Sequence, residues 1–215
     1  MHMIHLEVFT FNQFQENTYL LWDDEGNGLV FDPGCYSFEE RNKIKEFIAS
    51  KGIQMKAILN THAHIDHVLG VSFFQTEYKI PFYLHPKDIP LLDDAGNRAQ
   101  VYGFPHYQAA KVDQWLNETE PYQLGEFDIT ILFVPGHAPG HVAFYLSKQG
   151  WLLGGDVLFK RSVGRTDFPL CSHADLVKSI QTQLYTLPED TIVFPGHGSK
   201  TSIGEEMRYN PYVTA

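Results

Sequence analysis

Thr61-His62-Ala63-His64-Ile65-Asp66-His67 sets three imidazoles and a carboxylate into one short turn, directly after the apolar stretch Ala57-Ile58-Leu59-Asn60. An ordinary surface loop does not concentrate metal-type donors in this way. In an extended segment alternate residues face the same way, so His62 and His64 can converge on one point. Asp66 and His67 then fall at the next turn, aimed past it. Two ligand pairs on adjacent points, rather than one closed cage, is the layout that a two-metal hydrolytic site needs. The apolar stretch itself reads as a short buried strand that delivers the cluster.

Working outward, residues 7–31 alternate loosely between apolar and polar, with Asp23-Asp24-Glu25-Gly26-Asn27-Gly28 as a turn, which predicts a hairpin or meander. Residues 38–50 carry Phe38, Ile44, Phe47 and Ile48 at helical spacing, with Ser37 as N-cap and Gly52 as the end. Downstream, 67–78 suits a helix, 81–85 a strand and 108–115 a helix. The second half repeats the alternation, with a hairpin-like 128–134, strands at 141–146 and 151–154, a helix over 174–187 and a strand at 191–194. Interleaved strands and helices predict an α/β protein whose sheet faces are covered by helices.

With 215 residues, 43% hydrophobic and 14% aromatic, the chain has enough apolar material for a substantial core, expected as a single domain over residues 1–215. The formal charge of −10, with 16 scattered Lys and Arg, disfavours a nucleic-acid partner, because such binders display a basic stripe. Cys35 and Cys171 lie far apart without a Cys-x-x-Cys spacing, so neither a disulfide framework nor a zinc ribbon is indicated. Both are expected as reduced thiols in buried, small apolar positions. The start, Met1-His2-Met3-Ile4-His5, lacks the pattern of a signal peptide, and no run approaches the roughly 18 apolar residues of a membrane span. A cytoplasmic protein without a membrane partner is expected. Its oligomeric state is not legible.

Further donors stand in similar contexts. His137 sits in Pro135-Gly136-His137-Ala138-Pro139-Gly140-His141, Asp156 ends Leu152-Leu153-Gly154-Gly155-Asp156, and His197 sits in Pro195-Gly196-His197-Gly198. Each lies where a short apolar strand breaks into a glycine-bearing turn, so the donor can project from a sheet edge. An apolar run ending in Pro-Gly-His occurs twice, at 131–137 and 192–197. Alone, His137 or His197 would read as a loop histidine; the shared context reverses that. Imidazole and carboxylate without thiolate suit zinc, iron or manganese. His2, His5, His85, His106 and His173 lack such surroundings and read as ordinary residues.

These motifs resemble those of the metallo-β-lactamase fold hydrolases and, within them, the short single-domain glyoxalase II (hydroxyacylglutathione hydrolase)-like group. The resemblance rests on Asp32-Pro33-Gly34, the His-x-His-x-Asp-His cluster, the double-His glycine turn, Gly155-Asp156 and the terminal Pro-Gly-His-Gly. It implies a four-layer αββα sandwich with two divalent metal ions at one edge, zinc first, with iron or manganese as alternatives. It further implies that His62, His64 and His137 hold one ion, that Asp66, His67 and His197 hold the other, and that Asp156 bridges them. A shared hydroxide, formed near neutral pH, would be the nucleophile, and Asp66 would orient it or accept its proton. One metal would polarise the substrate carbonyl. His141 is expected behind the ligands in a hydrogen bond, and Asp32 as a turn residue outside the metal shell.

The activity implied is hydrolysis of a small acyl thioester resembling a 2-hydroxyacyl-glutathione. The alternatives are a mononuclear iron persulfide dioxygenase or another metallo-hydrolase such as a lactonase. A β-lactamase role is disfavoured, because those enzymes generally carry Cys or His where Asp156 stands. The loop Gly164-Arg165-Thr166-Asp167 resembles one that contacts the glutathione part of the thioester in this group. Arg165 is therefore the candidate for gripping a substrate carboxylate bidentately, with a loop-stabilising ion pair to Asp167 as the equal alternative. Two-domain glyoxalase II enzymes add a helical C-terminal domain, whereas only residues 199–215 follow the last motif here. Lower selectivity for the thiol carrier is expected, with the segment 96–115, bearing Tyr102, Phe104, His106 and Tyr107, replacing part of the missing wall.

Overall fold

The structure, a computed structural model, describes residues 3–214 and separates into two compact units. The first runs to Leu116 and takes in Leu124–Phe127. It opens as an antiparallel meander of β1 (Ile4–Phe11), β2 (Glu16–Asp23) and β3 (Asn27–Phe31). The carboxylate of Asp23 closes the β2–β3 turn by accepting the backbone N–H groups of Glu25 and Asn27 at 3.0 and 2.8 Å. Helix α1 (Phe38–Lys51) then crosses over to β4 (Gln54–Leu59), which pairs in parallel with β3. Ser37 and Glu40 form a reciprocal capping box at the helix start, and Gly52 ends it in the left-handed conformation.

Beyond β4 come α2 (Ile65–Val68), α3 (Val71–Tyr78), β5 (Phe82–Leu84), α4 (Ile89–Val101) and β6 (Gln114–Trp115), which complete a six-stranded sheet in the order β1-β2-β3-β4-β5-β6. Leu20, Val30, Ile58 and Phe82 from the sheet share one core with Ile44, Ile48, Val71 and Phe74 from the helices. Burial of these side chains stabilises the unit by roughly 1.5–3 kcal/mol each.

Two expected elements differ. The helix expected over 67–78 is broken into α2 and α3 at Gly70, whose N–H donates to the Pro33 carbonyl at 2.7 Å. A Cβ there would lie 2.6 Å from Cys35 Sγ, so only glycine lets the chain approach this closely. The segment 108–115 is not helical. It runs extended beside β5, with Asp113 N–H donating to the Phe82 carbonyl and Leu116 N–H to that of Leu84, each at 3.0 Å. The helix of this region is α4, where Pro90 occupies the first turn and Gly96 interrupts the apolar period.

The second unit comprises Asn117–Gln123 and the chain from Asp128 on. With β7 (Tyr122–Leu124), β8 (Phe127–Phe133), β9 (Val142–Leu146), β10 (Trp151–Gly155), β13 (Ile192–Pro195) and β14 (Thr201–Ser202), its sheet runs β14-β13-β10-β9-β8-β7. A separate hairpin, β11 (Leu158–Phe159) with β12 (Ser162–Val163), follows Asp156. Helix α5 (His173–Ser179) continues into a π-type turn over Ile180–Leu184, and α6 (Ile203–Tyr209) follows β14. Leu176, Ile180, Leu184 and Ile203 pack with Ala143, Leu152 and Val193 as the core of this unit. Among the described residues, no helix is long and apolar enough to cross a membrane.

Candidate metal centre

In the first unit, β4 ends at Leu59 and the loop that follows is fastened by buried side chains on several sides. Asn60 Nδ2 donates to the carbonyls of His62 at 3.3 Å and His67 at 2.8 Å, tying together the two ends of the cluster. Asp32, placed just after β3 with φ 48°, accepts Thr61 N–H at 2.7 Å and Thr61 Oγ1–H at 2.6 Å. Asp88 accepts the N–H of Ala63, between His62 and His64, at 2.7 Å. Hydrogen bonds to a carboxylate contribute about 1.5–3 kcal/mol each, so the loop conformation is strongly specified.

The same network sets the imidazole tautomers. Thr61 Oγ1 gives its proton to Asp32, so it accepts from His62 Nδ1 at 2.9 Å, and His62 Nε2 is left with its lone pair. His67 turns Nδ1 towards Asp32 Oδ2 at 3.3 Å, while its Nε2 lies 3.7 Å from Asp66 Oδ2. The ring centroids of His62 lie 4.8 Å from those of His64 and 4.1 Å from those of His67. Asp32, His62 and His67 each have a donor atom within 4.8 Å of the others. The oxygens of Asp32 already serve Thr61 and face His67, which makes it an orienting carboxylate. Nearby Glu16 is fully buried, and that burial pushes its carboxyl well above the usual range.

The second unit gathers His137, Asp156 and His197. Asp156 Oδ2 lies 3.4 Å from His137 Nε2 and 3.4 Å from His197 Nε2. His137 Nδ1 is 2.8 Å from the carbonyl oxygen of Arg165; a carbonyl only accepts, so Nδ1 carries the proton and Nε2 the lone pair. His141 is fully buried and its Nε2 accepts the N–H of Asp156 at 3.1 Å, which gives it the supporting hydrogen bond expected of it. Cys171, expected as a buried apolar filler, is half-buried instead, and its thiol donates to the His137 carbonyl at 2.9 Å.

Arg165 and Asp167 form a two-pronged pair, with Nε to Oδ1 and Nη2 to Oδ2 both at 2.7 Å, and the guanidinium lies 3.9 Å from the Phe168 ring centroid. Hydrogen bonding from Arg165 holds the Asp167 carboxyl down to about 2. The wall expected from segment 96–115 is only partly available. Phe104 is a buried core residue packed against Tyr36 and Phe14, with ring centroids 4.9 and 5.9 Å apart. Tyr102 and Tyr107 are half-buried against the same core, and His106 is exposed.

Asn60 and Asp88 are supporting residues that sequence reasoning passed over. Asp88 follows His85-Pro86-Lys87, outside the motifs that carry the candidate ligands, so its contact with Ala63 carried no signal; Asn60 is visible only as the residue before the cluster. The donor chemistry fits borderline divalent cations: imidazoles with Nδ1 engaged by oxygen, carboxylates beside them, and no thiolate among them.

The family model described as the metallo-beta-lactamase superfamily matches residues 11–197. Hydroxyacylglutathione hydrolase GloC of Haemophilus influenzae is 36% identical over 214 residues, covering 99% of each chain. The structure is similar to that of BLEG-1 B3 metallo-beta-lactamase, with a TM-score of 0.90 and 35% identity over 98% of this chain and 100% of that one. It is also similar to TTHA1623 in a di-iron-bound form, with a TM-score of 0.85 and 38% identity over 96% of this chain and 100% of that one. The α/β fold class expected from the motifs is the one found.

Proposed function

The chain belongs to the metallo-beta-lactamase superfamily, and from that premise we propose that it is a metal-dependent hydrolase of small acyl thioesters of the 2-hydroxyacyl-glutathione type. One observation supports it most: the Nε2 atoms of His137 and His197 both stand 3.4 Å from a single oxygen of Asp156, while His137 Nδ1 is committed to a backbone carbonyl. A carboxylate flanked in this way has the chemistry of a bridging ligand. The identity to GloC favours a thioester among the substrates that the superfamily takes.

On the family pattern, His62, His64 and His137 would hold one divalent ion and Asp66, His67 and His197 the other, with Asp156 shared. Zinc is the first candidate, and the di-iron relative keeps iron in view. Bound cations supply a Lewis acid for the acyl carbonyl and bring the pKa of a water to roughly 7. The chain's own residues supply the rest. Asp66, carboxylate beside His67, is proposed to take the proton of the attacking water. Thr61 holds His62 in the tautomer that ligation needs, and Asp32 stands beside His67 Nδ1 at 3.3 Å. Arg165 is proposed to bind the carboxylate of the thiol carrier, exchanging Asp167 for it. The two units would act as one domain, in the cytoplasm, on a small molecule.

The test is a panel of thioesters, a β-lactam, a lactone and glutathione persulfide, given to protein of measured metal content. Thiol release from 2-hydroxyacyl thioesters at rates well above the other arms supports the reading. Oxygen uptake on the persulfide without thioester cleavage overturns it.

A further inference from the structure

The hairpin β11–β12 and the two residues that follow it, Gly164 and Arg165, lie against Asp156, His137 and His197. Gly164, directly after it, packs so tightly on Asp156 that a Cβ would lie 1.8 Å from the Asp156 carbonyl oxygen and 3.2 Å from His137 Cβ. Arg165 supplies the carbonyl that accepts from His137 Nδ1 at 2.8 Å. Phe159, on β11, sets its ring edge-on to His197 with centroids 6.4 Å apart. A two-strand, four-residue ladder cannot define such positions alone.

What holds the hairpin is a buried carboxylate from the C-terminal helix. Glu206, on α6, is fully buried and accepts three hydrogen bonds: Thr201 Oγ1 at 2.6 Å, Arg161 N–H at 2.9 Å and Asn210 Nδ2 at 2.9 Å. Arg161 is the hairpin's turn residue, in the left-handed conformation with φ 60°. Asn210 Nδ2 also donates to the carbonyl of Ser162, the first residue of β12, at 3.0 Å. Outside, the Arg161 guanidinium pairs with Glu205 at 2.9 Å and lies 4.4 Å from the Tyr209 ring centroid. The turn of the hairpin is thus tied at two consecutive residues to α6 and the residue that follows it.

We infer that Glu206 is a positioning residue for the metal ligands: it anchors the β11–β12 hairpin to α6 so that Gly164, Arg165 and Phe159 hold Asp156, His137 and His197 in their ligating geometry. This rests on the metal reading above. The short C-terminal segment acquires a role of its own, as the clamp on one half of the donor set. A residue acting through the orientation of ligands is expected to change metal affinity by about 10–100-fold.

The test is a spectroscopic titration of metal-free protein with cobalt(II), following ligand-field absorption, for the parent, Glu206→Ala, Glu206→Gln, Asn210→Ala and Arg208→Ala. Glu206→Ala is expected to bind cobalt at least tenfold more weakly, with an altered absorption envelope, while circular dichroism stays native. Glu206→Gln, which keeps an acceptor for Arg161 and Asn210, is expected to restore most of the affinity. Arg208→Ala, on the same helix as Glu206, removes only the surface pair with Glu189 and is expected to bind as the parent does. Should Glu206→Ala fail to fold, Asn210→Ala is expected to show the same weakening in milder form. Folded Glu206→Ala or Asn210→Ala with parental affinity and spectrum overturns the inference. A parent that takes up no cobalt sinks the metal reading itself.

Discussion

The Nε2 of His137 and the Oδ2 of Asp156 stand 3.4 Å apart, with the opposite ring nitrogen of His137 engaged by the Arg165 carbonyl. Asp156 therefore meets an imidazole whose tautomer is already fixed, and the same oxygen meets His197. Asp156→Ala is expected to lower thioester hydrolysis by more than the ~10–100-fold that loss of an outer partner costs, together with loss of bound metal. Metal analysis and kcat/KM on the same sample check it. Full activity in the folded variant would show that Asp156 is not a ligand.

Asp88 supports the loop at a second point, through the Ala63 N–H at 2.7 Å. Asp88→Ala leaves that buried N–H without its acceptor and is expected to destabilise the fold by ~1–3 kcal/mol. Metal affinity is expected to fall in parallel. Asp88→Asn keeps an acceptor oxygen and should retain most of both. Urea unfolding and metal titration separate the two effects.

The positions of the His cluster and of the later candidate donors were legible because the pattern is written locally: the cluster follows an apolar strand, His137, Asp156 and His197 each follow an apolar strand and a glycine, and β4, β8, β10 and β13 do end just before them. The capping box of α1 was legible for the same reason, since Ser37 and Gly52 bracket the helical period. Gly70 was not, because the helix breaks there through contact with Pro33 and Cys35, which are remote in sequence. Segment 108–115 likewise takes its extended form from pairing beside β5, a tertiary effect that overrides its own pattern. Phe104 looked like a binding-site aromatic because aromatic content alone does not tell a core residue from a wall. Glu206 has no motif at all; its role exists only once α6 and the hairpin are brought together.

Arg165 is held by Asp167 through two 2.7 Å contacts, so a substrate carboxylate has to displace an existing partner. Arg165→Ala is expected to raise KM about 10–100-fold with little change in kcat, the size of one or two charged hydrogen bonds. Asp167→Asn weakens the competing pair and is expected to lower KM modestly. Steady-state kinetics on a glutathione thioester distinguishes this from a loop-stabilising pair, for which both substitutions would lower stability and leave KM in place.

Burial pushes the phenols of Tyr78 and Tyr185 up from 10.0 to about 12, and Tyr185 Oη donates to the Val213 carbonyl at 3.2 Å. In the unfolded chain these groups ionise near the ordinary value, in the folded protein only later. Stability is therefore intact below pH 10 and is lost as the pH rises towards 12. Thermal unfolding across that window is expected to show the decline, and Tyr185→Phe is expected to flatten it. An unchanged slope in Tyr185→Phe would contradict the assignment.

Thioester hydrolysis by this chain is proposed to depend on cations bound by its histidines and aspartates. Stepwise addition of zinc to chelator-treated protein, with release of free thiol from a 2-hydroxyacyl-glutathione followed at each step, tests it directly. Hydrolysis is predicted to be absent from the metal-free protein, to rise with added zinc and to level off at two equivalents. Full hydrolysis by the metal-free protein, or none by protein carrying two equivalents, would contradict it.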